Sequence, residues 1–379
     1  MVFDFVSNDV NCVQVPLGNR SYNIQIRTGS FGEHASNATN KGFAQTAIKV
    51  LGDLSHALVI ADQAVAPLAT SVAELLRNQD IRVDVTSVPS GEPSKSVEQL
   101  STLWNWMLES GADRRSVVIA VGGGVVGDLA GFAAASFTRG IRFVQIPTTL
   151  LAMVDSSVGG KTGINLPGAK NMVGAFWQPQ LVWIDTDVLS TLPDRSYLSG
   201  LAEVVKYGVI DDAEFFDWLG ANAGKLTNRD SETLRVAIAL SCQSKANVVG
   251  EDERETSGRR AILNYGHTFA HGIEATAGYG KLLHGEAVSI GMQMAARLAI
   301  DLDLCPSDLL QRQTQLLVGC KLPVTLPAAD AGEMLPVMMR DKKVAHGKLR
   351  FILPTKIGAV ELVGNVDESA VIRAIDATK

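Results

Sequence analysis

The stretch from residue 116 to residue 137 constrains the fold of this 379-residue sequence more than any other. It contains one charged side chain, Asp128, and is long enough to imitate a membrane helix. Glycines interrupt it, however, at positions 122, 123, 124, 127 and 131. They favour a buried strand over residues 117–121, then a glycine turn and a helix. The sequence therefore predicts an α/β unit here, and no membrane span.

The same glycine turn is a candidate nucleotide site. Residues 121–128 read V-GGG-VV-G-D, and glycines before a helix let a phosphate approach the backbone N–H groups. The run differs from the G-x-G-x-x-G pattern, and a turn that only packs a helix on a strand would use the same residues. A second run, SSVGGKT at 156–162, ends like a P-loop. Asp155 stands where a P-loop has its first glycine, so we exclude an ATPase of that class.

Apolar runs alternate with amphipathic segments up to about residue 186. Strand-like runs cover residues 21–27, 57–60, 83–88, 117–121, 142–146 and 181–184, and helical patterns cover residues 66–77 and 97–108. This alternation predicts a mostly parallel sheet with helices on both faces. Later patterns are mainly helical, at 199–209, 232–249, 268–276 and 286–302, with a hairpin predicted from 349–353 and 359–363. We predict an α/β domain over residues 1–186 and a mainly α-helical domain over residues 187–379.

Composition excludes several classes of protein. Hydrophobic residues make up 46% and charged residues 20% of the chain, which is typical of a globular protein. A net charge of -6 argues against nucleic-acid binding, although an acidic protein can carry a basic pocket for a small anion. The cysteines, at 12, 242, 305 and 320, form no C-x-x-C pair, and the sequence opens without a signal peptide. We therefore expect a reduced cytoplasmic protein that binds neither nucleic acid nor membrane.

Three histidines and one glutamate are candidate metal ligands. His267 and His271 are four residues apart and share one face of a predicted helix, and His284 precedes the next helix. Glu203 lies on an apolar helix, where an unpaired carboxylate is costly to bury. Two imidazoles and one carboxylate would make a catalytic zinc site. Helix caps or satisfied core side chains would have the same spacing, which alone does not decide between these interpretations.

Longer motifs then resemble a known family over nearly the whole chain, from about residue 17 to about residue 363. They are GGGVVGDLAGFAAASFTRG (122–140), IPTTLLAMVDSSVGGKTGIN (146–165), KNMVGAFWQP (170–179), GLAEVVKYG (200–208), LNYGHTFAHGIE (263–274), LLHGEAVSIGM (282–292) and RDKK (340–343). In this order they resemble the 3-dehydroquinate synthase family of sugar phosphate cyclases. Ala169, Ala270 and Gly272 depart from the family pattern and affect local packing only.

The resemblance implies a Rossmann-like NAD site and a divalent metal, zinc or cobalt. The metal ligands it implies are Glu203, His267 and His284, so that His271 is an active-site histidine rather than a ligand. The NAD contacts it implies are Ser90, Gly91, Glu92, Pro93, Ser94, Lys95, Gly123, Gly124, Val125, Val126, Gly127, Asp128, Thr148, Thr149, Lys161, Lys170, Val188, Leu189, Ser190 and Thr191. The substrate contacts it implies are Asp155, Lys161, Asn171, Lys206, Lys245, Arg260, Asn264, His271, Lys342 and Lys343.

The resemblance also implies the reaction: 3-deoxy-D-arabino-heptulosonate 7-phosphate becomes 3-dehydroquinate and phosphate. The steps, in order, are transient oxidation by NAD, β-elimination of phosphate, re-reduction, ring opening and an intramolecular aldol step. Arg139 resembles an arginine that reaches the phosphate site of the neighbouring subunit, which implies a homodimer. The alternatives are a related cyclase of the valiolone or inosose type, a metal-dependent polyol dehydrogenase and a non-catalytic NAD-binding module.

Overall fold

The chain folds into two compact units. The structure, a computed structural model, describes residues 11–31, 37–278, 281–326, 328, 330–340 and 349–379. The first unit comprises Met1–Leu192 and Leu234–Gly250, and the second comprises Pro193–Thr233 and Glu251–Lys379. The first division lies close to the predicted boundary between residues 186 and 187. Residues 234–250, which the sequence pattern assigns to the helical domain, group with the first unit instead.

Side-chain contacts explain why this helical segment belongs to the first unit. Lys245 Nζ donates to Asp155 Oδ1 at 2.6 Å and to the Asp155 carbonyl oxygen at 2.7 Å. Cys242 Sγ donates to the carbonyl oxygen of Met153 at 3.3 Å. These contacts join residues about ninety positions apart, so the local helical pattern that predicts the segment contains no sign of them.

The first unit is built on a parallel sheet. Its strands are β1 (Cys12–Val15), β2 (Tyr22–Arg27), β3 (His56–Asp62), β4 (Arg82–Val88), β5 (Val117–Gly122), β6 (Arg142–Pro147), β7 (Lys161–Leu166), β8 (Ala169–Phe176) and β9 (Leu181–Asp185). Seven of them form one sheet in the order β1-β2-β9-β6-β5-β3-β4. All neighbours in it are parallel except β1 and β2. The mostly parallel sheet predicted from the sequence is confirmed.

Helices cover both faces of this sheet. They are α1 (Asn37–Leu51), α2 (Ala66–Arg77), α3 (Val97–Glu109) and α4 (Gly124–Ser136). Successive residues of a strand point to opposite faces. Val59 of β3 accordingly shares a core with Val72 of α2, whereas Leu58 shares another core with Leu103 of α3. Because β3 and β5 are buried on both faces, they appear in the sequence as continuous apolar runs.

The second unit is mainly helical, as predicted. Its elements are α5 (Asp194–Ile210), α6 (Ala213–Thr227), α8 (His267–Ala277), α9 (His284–Asp301), α10 (Asp308–Gly319), α11 (Ala331–Arg340), β10 (Arg350–Lys356), β11 (Ala359–Gly364) and α12 (Glu368–Asp376). Helix α7 (Ser231–Glu251) follows α6 in the sequence and belongs mostly to the first unit. Helix α5 is buried all round from residue 199 to residue 210. The predicted hairpin is β10 paired with β11 in antiparallel register.

The antiparallel hairpin of β7 and β8 is absent from the sequence-based prediction. Strand β8 is almost entirely exposed, so it lacks the apolar alternation that marks a half-buried strand. Its pairing depends on close backbone contact, since a Cβ at Gly174 would lie 2.0 Å from the Thr162 carbonyl oxygen. Across the part of the chain that the structure describes, no helix combines the length and apolarity needed to cross a membrane.

Candidate active site

Most of the residues predicted to bind NAD lie at one edge of the parallel sheet. Residues 90–95 follow β4, residues 123–128 follow β5, Thr148 and Thr149 follow β6, and residues 188–191 follow β9. These strands are parallel, so their carboxyl ends lie on the same edge, which is where ligands bind in open α/β sheets. Residues 188–191 belong to a short 3-10 helix in which Leu189 is buried. The sheet topology thus brings these four separate segments to one edge.

The loops after β5 and β6 are in direct contact. Thr148 N donates to the Gly122 carbonyl oxygen at 3.0 Å, and a Cβ at Gly123 would lie 3.2 Å from Thr149 Cγ2. A Cβ at Gly124 would lie 2.8 Å from Ser156 Oγ. Helix α4 begins at Gly124 after a glycine that supplies no side-chain cap. The turn therefore combines tight packing with a helix N-terminus that suits a phosphate, so the two interpretations of the glycine run are compatible.

A buried lysine ties the loop after β4 to the β7–β8 hairpin. Lys95 Nζ donates to Asp128 Oδ2 at 2.6 Å and to Asn171 Oδ1. Asn165 Nδ2 donates to Glu92 Oε1 at 2.8 Å, and Asn165 Oδ1 accepts from Asn171 N at 2.8 Å. Asn171 has a φ of 53°, a left-handed conformation that asparagine tolerates. The network joins predicted NAD and substrate residues, and it includes Asn165, which the sequence analysis leaves without a role.

Further predicted substrate residues of the first unit lie on α7 and in the π-helical turn Ala152–Ser156. The Lys245 ammonium contacts Asp155 of this turn, and π-helical turns are frequent at functional sites. Lys161 and Lys170 are exposed at the hairpin.

Arg139, the residue predicted to reach a neighbouring subunit, is exposed as well, with a φ of 73° next to Thr138 with a φ of 47°. Two successive non-glycine residues in the left-handed region make this turn a strained one.

Three predicted metal ligands from different helices meet in the second unit. Glu203 Oε1 lies 3.5 Å from His267 Nε2 and 3.6 Å from His284 Nε2. One donor atom from each of the three residues lies within 4.8 Å of the other two. Tetrahedral coordination with bonds of about 2.1 Å places ligand atoms about 3.4 Å apart. The donor set and its spacing therefore fit a divalent ion such as zinc or cobalt.

Both imidazoles are oriented through their second ring nitrogen. His267 Nδ1 lies 3.0 Å from the Tyr265 carbonyl oxygen, and His284 Nδ1 lies 3.5 Å from Glu274 Oε1. Metal-binding histidines usually donate in this way to a carbonyl or carboxylate. Glu274, to which the sequence analysis assigns no role, is therefore a candidate for orienting the His284 ring. The spacing in the sequence already indicates this, because Glu274 lies seven residues after His267 and therefore on the same helical face.

The cluster of Glu203, His267 and His284, called the metal group below, favours a positive charge. Burial disfavours the charged ring, but the carboxylates of Glu203 and Glu274 act more strongly and raise the pKa of His284 to about 10. Glu203 is fully buried and forms an ion pair with Lys206, whose side chain is also buried. The Lys206 ammonium also lies 5.2 Å from the ring centroid of Tyr207. A cation is therefore favoured at this position, whether a proton or a metal ion.

Three more predicted substrate residues lie in the same unit. The ring centroids of His271 and His267 are 5.9 Å apart. Arg260 is 2% exposed and donates through Nη1 to the Glu253 carbonyl oxygen at 2.7 Å. Asn264 ends the 3-10 helix Arg259–Asn264, shortly before His267 begins α8. The predicted contacts Lys342 and Lys343 lie outside the described residues.

Comparison with known proteins yields family matches over both parts of the chain. Residues 85–199 match the 3-dehydroquinate synthase N-terminal family model, and residues 200–344 match the C-terminal one. A 3-dehydroquinate synthase from Rhodopirellula baltica is 63% identical over 375 residues, 99% of each chain.

Solved structures of two sugar phosphate cyclases share this fold. One is 2-deoxy-scyllo-inosose synthase in complex with carbaglucose-6-phosphate, NAD+ and Co2+, with a TM-score of 0.85 and 25% identity over 97% of this chain and 100% of that one. The other is the 2-epi-5-epi-valiolone synthase of Streptomyces hygroscopicus with NAD+ and Zn2+, with a TM-score of 0.83 and 28% identity over 94% and 96%. Taken with the family matches and the close relative, these likenesses place the chain in the 3-dehydroquinate synthase family.

Proposed function

We propose that this chain converts 3-deoxy-D-arabino-heptulosonate 7-phosphate into 3-dehydroquinate and phosphate, as an NAD- and divalent-metal-dependent lyase. The observation that carries the proposal is the close group of Glu203, His267 and His284 in a member of this family. When bound, NAD supplies reversible hydride transfer at carbon 5, and the divalent ion supplies Lewis-acid polarisation of the hydroxyl that is oxidised.

The chain's own residues would hold these groups in two places. Glu203, His267 and His284 would coordinate the ion, and Tyr265 and Glu274 would keep the two rings aligned. NAD would bind at the carboxyl edge of the sheet, with its pyrophosphate against the N-terminus of α4. The glycines there keep the turn compact, because a Cβ at Gly123 or Gly124 would meet Thr149 or Ser156.

Cationic side chains would orient the substrate, which carries a phosphate and a carboxylate. Lys245 and Arg260 are buried ammonium and guanidinium groups, and such groups bind carboxylates and phosphates through charge-assisted hydrogen bonds. Lys206 lies beside the metal group, where its ammonium can contact a substrate oxygen near the ion. The proton removed during elimination would pass either to the substrate phosphate itself or to His271, the imidazole next to that group.

Phosphate release from the heptulosonate phosphate tests the proposal. We expect phosphate and dehydroquinate in equal amounts without net formation of NADH. Glu203→Gln keeps the shape of the side chain but removes its charge, so it should abolish metal binding and lower kcat by more than the roughly 10–100-fold typical of outer-shell changes. Glu214→Gln, the same change at an exposed position of α6, should leave activity unchanged.

Each alternative function has a different signature in this assay. Turnover of sedoheptulose 7-phosphate in place of the heptulosonate phosphate would indicate a cyclase of the valiolone type. Continuous accumulation of NADH would indicate a polyol dehydrogenase. Full activity of the Glu203→Gln enzyme without metal would remove the proposed metal site.

We also propose a cytoplasmic homodimer in which Arg139 serves the phosphate site of the partner subunit. The support is its exposed position on a strained turn and its resemblance to the family's arginine. Mixing inactive Arg139→Ala and Glu203→Gln proteins tests this role. If Arg139 acts across the interface, each hybrid dimer regains one complete site, and activity returns. If it acts within its own subunit, every site of the hybrid lacks one residue, and the mixture stays inactive.

A further inference from the structure

Successive residues in the first turn of α9 form hydrogen bonds to α5. Helix α9 begins at His284, which lies near Glu203. The amide of Gly285 donates to Ser199 Oγ at 3.0 Å. The Glu286 carboxylate accepts two hydrogen bonds of 2.7 Å from the guanidinium of Arg195. Consecutive residues of α9 thus contact side chains spaced by one helical turn along one face of α5.

The same arginine and glutamate also fix the chain just before His284. Arg195 Nη2 donates to the Lys281 carbonyl oxygen at 2.7 Å. Glu286 Oε2 accepts from the Leu283 amide at 2.8 Å. The backbone is therefore held on both sides of His284 by groups that belong to the Arg195–Glu286 pair or lie next to it.

The packing at this point limits how closely the backbones of α5 and α9 can approach, but it does not by itself fix the rotation of α9. A Cβ at Gly285 would lie 1.8 Å from the Ser199 carbonyl oxygen, so the α9 backbone rests directly on α5. Any rotation of the first turn of α9 about this contact changes the distance between His284 and Glu203. The Arg195–Glu286 pair lies beyond the contact and opposes such a rotation.

Local helix energetics do not explain the position of Arg195. A cation in the first turn of a helix opposes the helix dipole. The side chain is 56% exposed, and exposed ion pairs contribute little to stability. A guanidinium that donates two parallel hydrogen bonds does, however, fix the angle as well as the distance of its carboxylate partner. Geometry is therefore the property that this pair supplies.

We propose that Arg195 and Glu286 are positioning residues that set the distance of His284 from Glu203 and so determine the affinity for the divalent ion. The inference rests on the proposed metal site. Outer-shell partners of metal ligands typically change metal affinity by roughly 10–100-fold when they are removed, even though they do not touch the ion. The pair would act on the metal group through the backbone of α9.

Metal affinity of the full-length protein tests this role. Zn2+ binding is measured by competition with a chromophoric chelator, and the absorption spectrum of bound Co2+ reports the coordination geometry. Arg195→Ala and Glu286→Gln should each weaken Zn2+ binding by about 10–100-fold and alter the Co2+ spectrum. The Zn2+ affinity of the double variant should be no lower than that of the weaker-binding single variant, because both changes break the same pair.

Two further variants separate positioning from general damage. Arg195→Lys keeps the charge but not the forked geometry, so it should bind metal less tightly than the wild type and more tightly than Arg195→Ala. Asp194 lies in the same turn of α5 as Arg195 and forms an ion pair of 2.7 Å with Arg229. Asp194→Asn breaks this pair and should retain the wild-type affinity for Zn2+. The melting temperature of the metal-free protein should change little in all of these variants.

Wild-type Zn2+ affinity in Arg195→Ala and Glu286→Gln would overturn the inference, and so would an equal loss in Asp194→Asn. Failure of the proposed metal site has a different result. In that case the wild-type protein binds no Zn2+, or Glu203→Gln binds it as tightly as the wild type does.

Discussion

The two units position their functional residues by different physical means. In the first unit, the predicted NAD residues follow the carboxyl ends of β4, β5, β6 and β9, so the direction of parallel strands alone collects them at one edge. In the second unit, Glu203, His267 and His284 come from three helices, and only the packing of those helices brings them together. Residues at a sheet edge tolerate small shifts of the layers, whereas ligands of one ion do not.

Close contacts between helix backbones make the second arrangement possible. A Cβ at Gly291 of α9 would lie 2.2 Å from the Gly266 carbonyl oxygen, just before α8 begins at His267. Gly266 itself has a φ of 77°, which few other residues adopt readily. Together with the contact at Gly285, this fixes the helix starts that present both imidazoles. The metal group therefore depends on glycines that never touch the ion.

The largest effect should follow from a methyl group at the contact between α5 and α9. Gly285→Ala would place Cβ 1.8 Å from a backbone oxygen that has no room to move, so the helices must separate. We expect a loss of more than about 3 kcal/mol in the free energy of unfolding, together with loss of metal binding.

A matched variant on α6 provides the control for this change. At Gly220 nothing lies within 4 Å of an added Cβ, so Gly220→Ala should stabilise the protein by about 0.5–1 kcal/mol. Urea unfolding and a Zn2+ titration of both variants measure the difference. Equal stability of the two would mean that backbone contact does not hold the metal group together.

A smaller and more local effect should follow at the sheet edge. Gly124→Ala brings Cβ within 2.8 Å of Ser156 Oγ, the end of a side chain that can rotate away. Stability should therefore fall by no more than about 1 kcal/mol. NAD affinity should fall at least about tenfold, because the methyl group blocks the approach of the pyrophosphate to the helix N-terminus.

Fluorescence titration with NAD measures this change, and the double variant Gly124→Ala/Ser156→Ala separates its causes. If lost access is responsible, relief of the side-chain contact does not restore NAD affinity. If affinity returns to the wild-type value, strain in the turn was responsible, and the sheet edge would resemble the metal group in its sensitivity to packing.

The sequence predicts the residues at the sheet edge better than the residues of the metal group. Strand direction alone collects the first set, whereas only helix packing brings the second set together. Apolar runs mark β3, β5 and β6, and the topology of a parallel sheet then determines which loops share an edge. Within the first unit, the contact between Lys245 and Asp155 also escapes prediction, because it joins residues 90 positions apart on elements that no local pattern relates. Helical spacing alone pairs His267 with His271, and the family resemblance was needed to choose His284 as a ligand instead. The β7–β8 hairpin escaped prediction because its strand β8 has no buried face.

A loop of the second unit that is built around Asp252 should show an effect that is confined to stability and depends on pH. Asp252 accepts hydrogen bonds from the amides of Thr256, Ser257 and Arg260 and so shapes the loop that leads to Arg260. Burial alone would raise the pKa of Asp252, but these amides outweigh it and lower the pKa to about 2.

Because the folded-state pKa of Asp252 lies below the unfolded value of about 3.9, its stabilisation is fully present above that value and disappears as the pH falls toward 2. Asp252→Asn should lower the free energy of unfolding by about 1–2 kcal/mol at pH 7. Urea unfolding of both proteins at pH 7, 4 and 3 should show the difference narrowing below pH 4. A difference that stays constant over this range would mean that the loop depends on the shape of residue 252 and not on its charge.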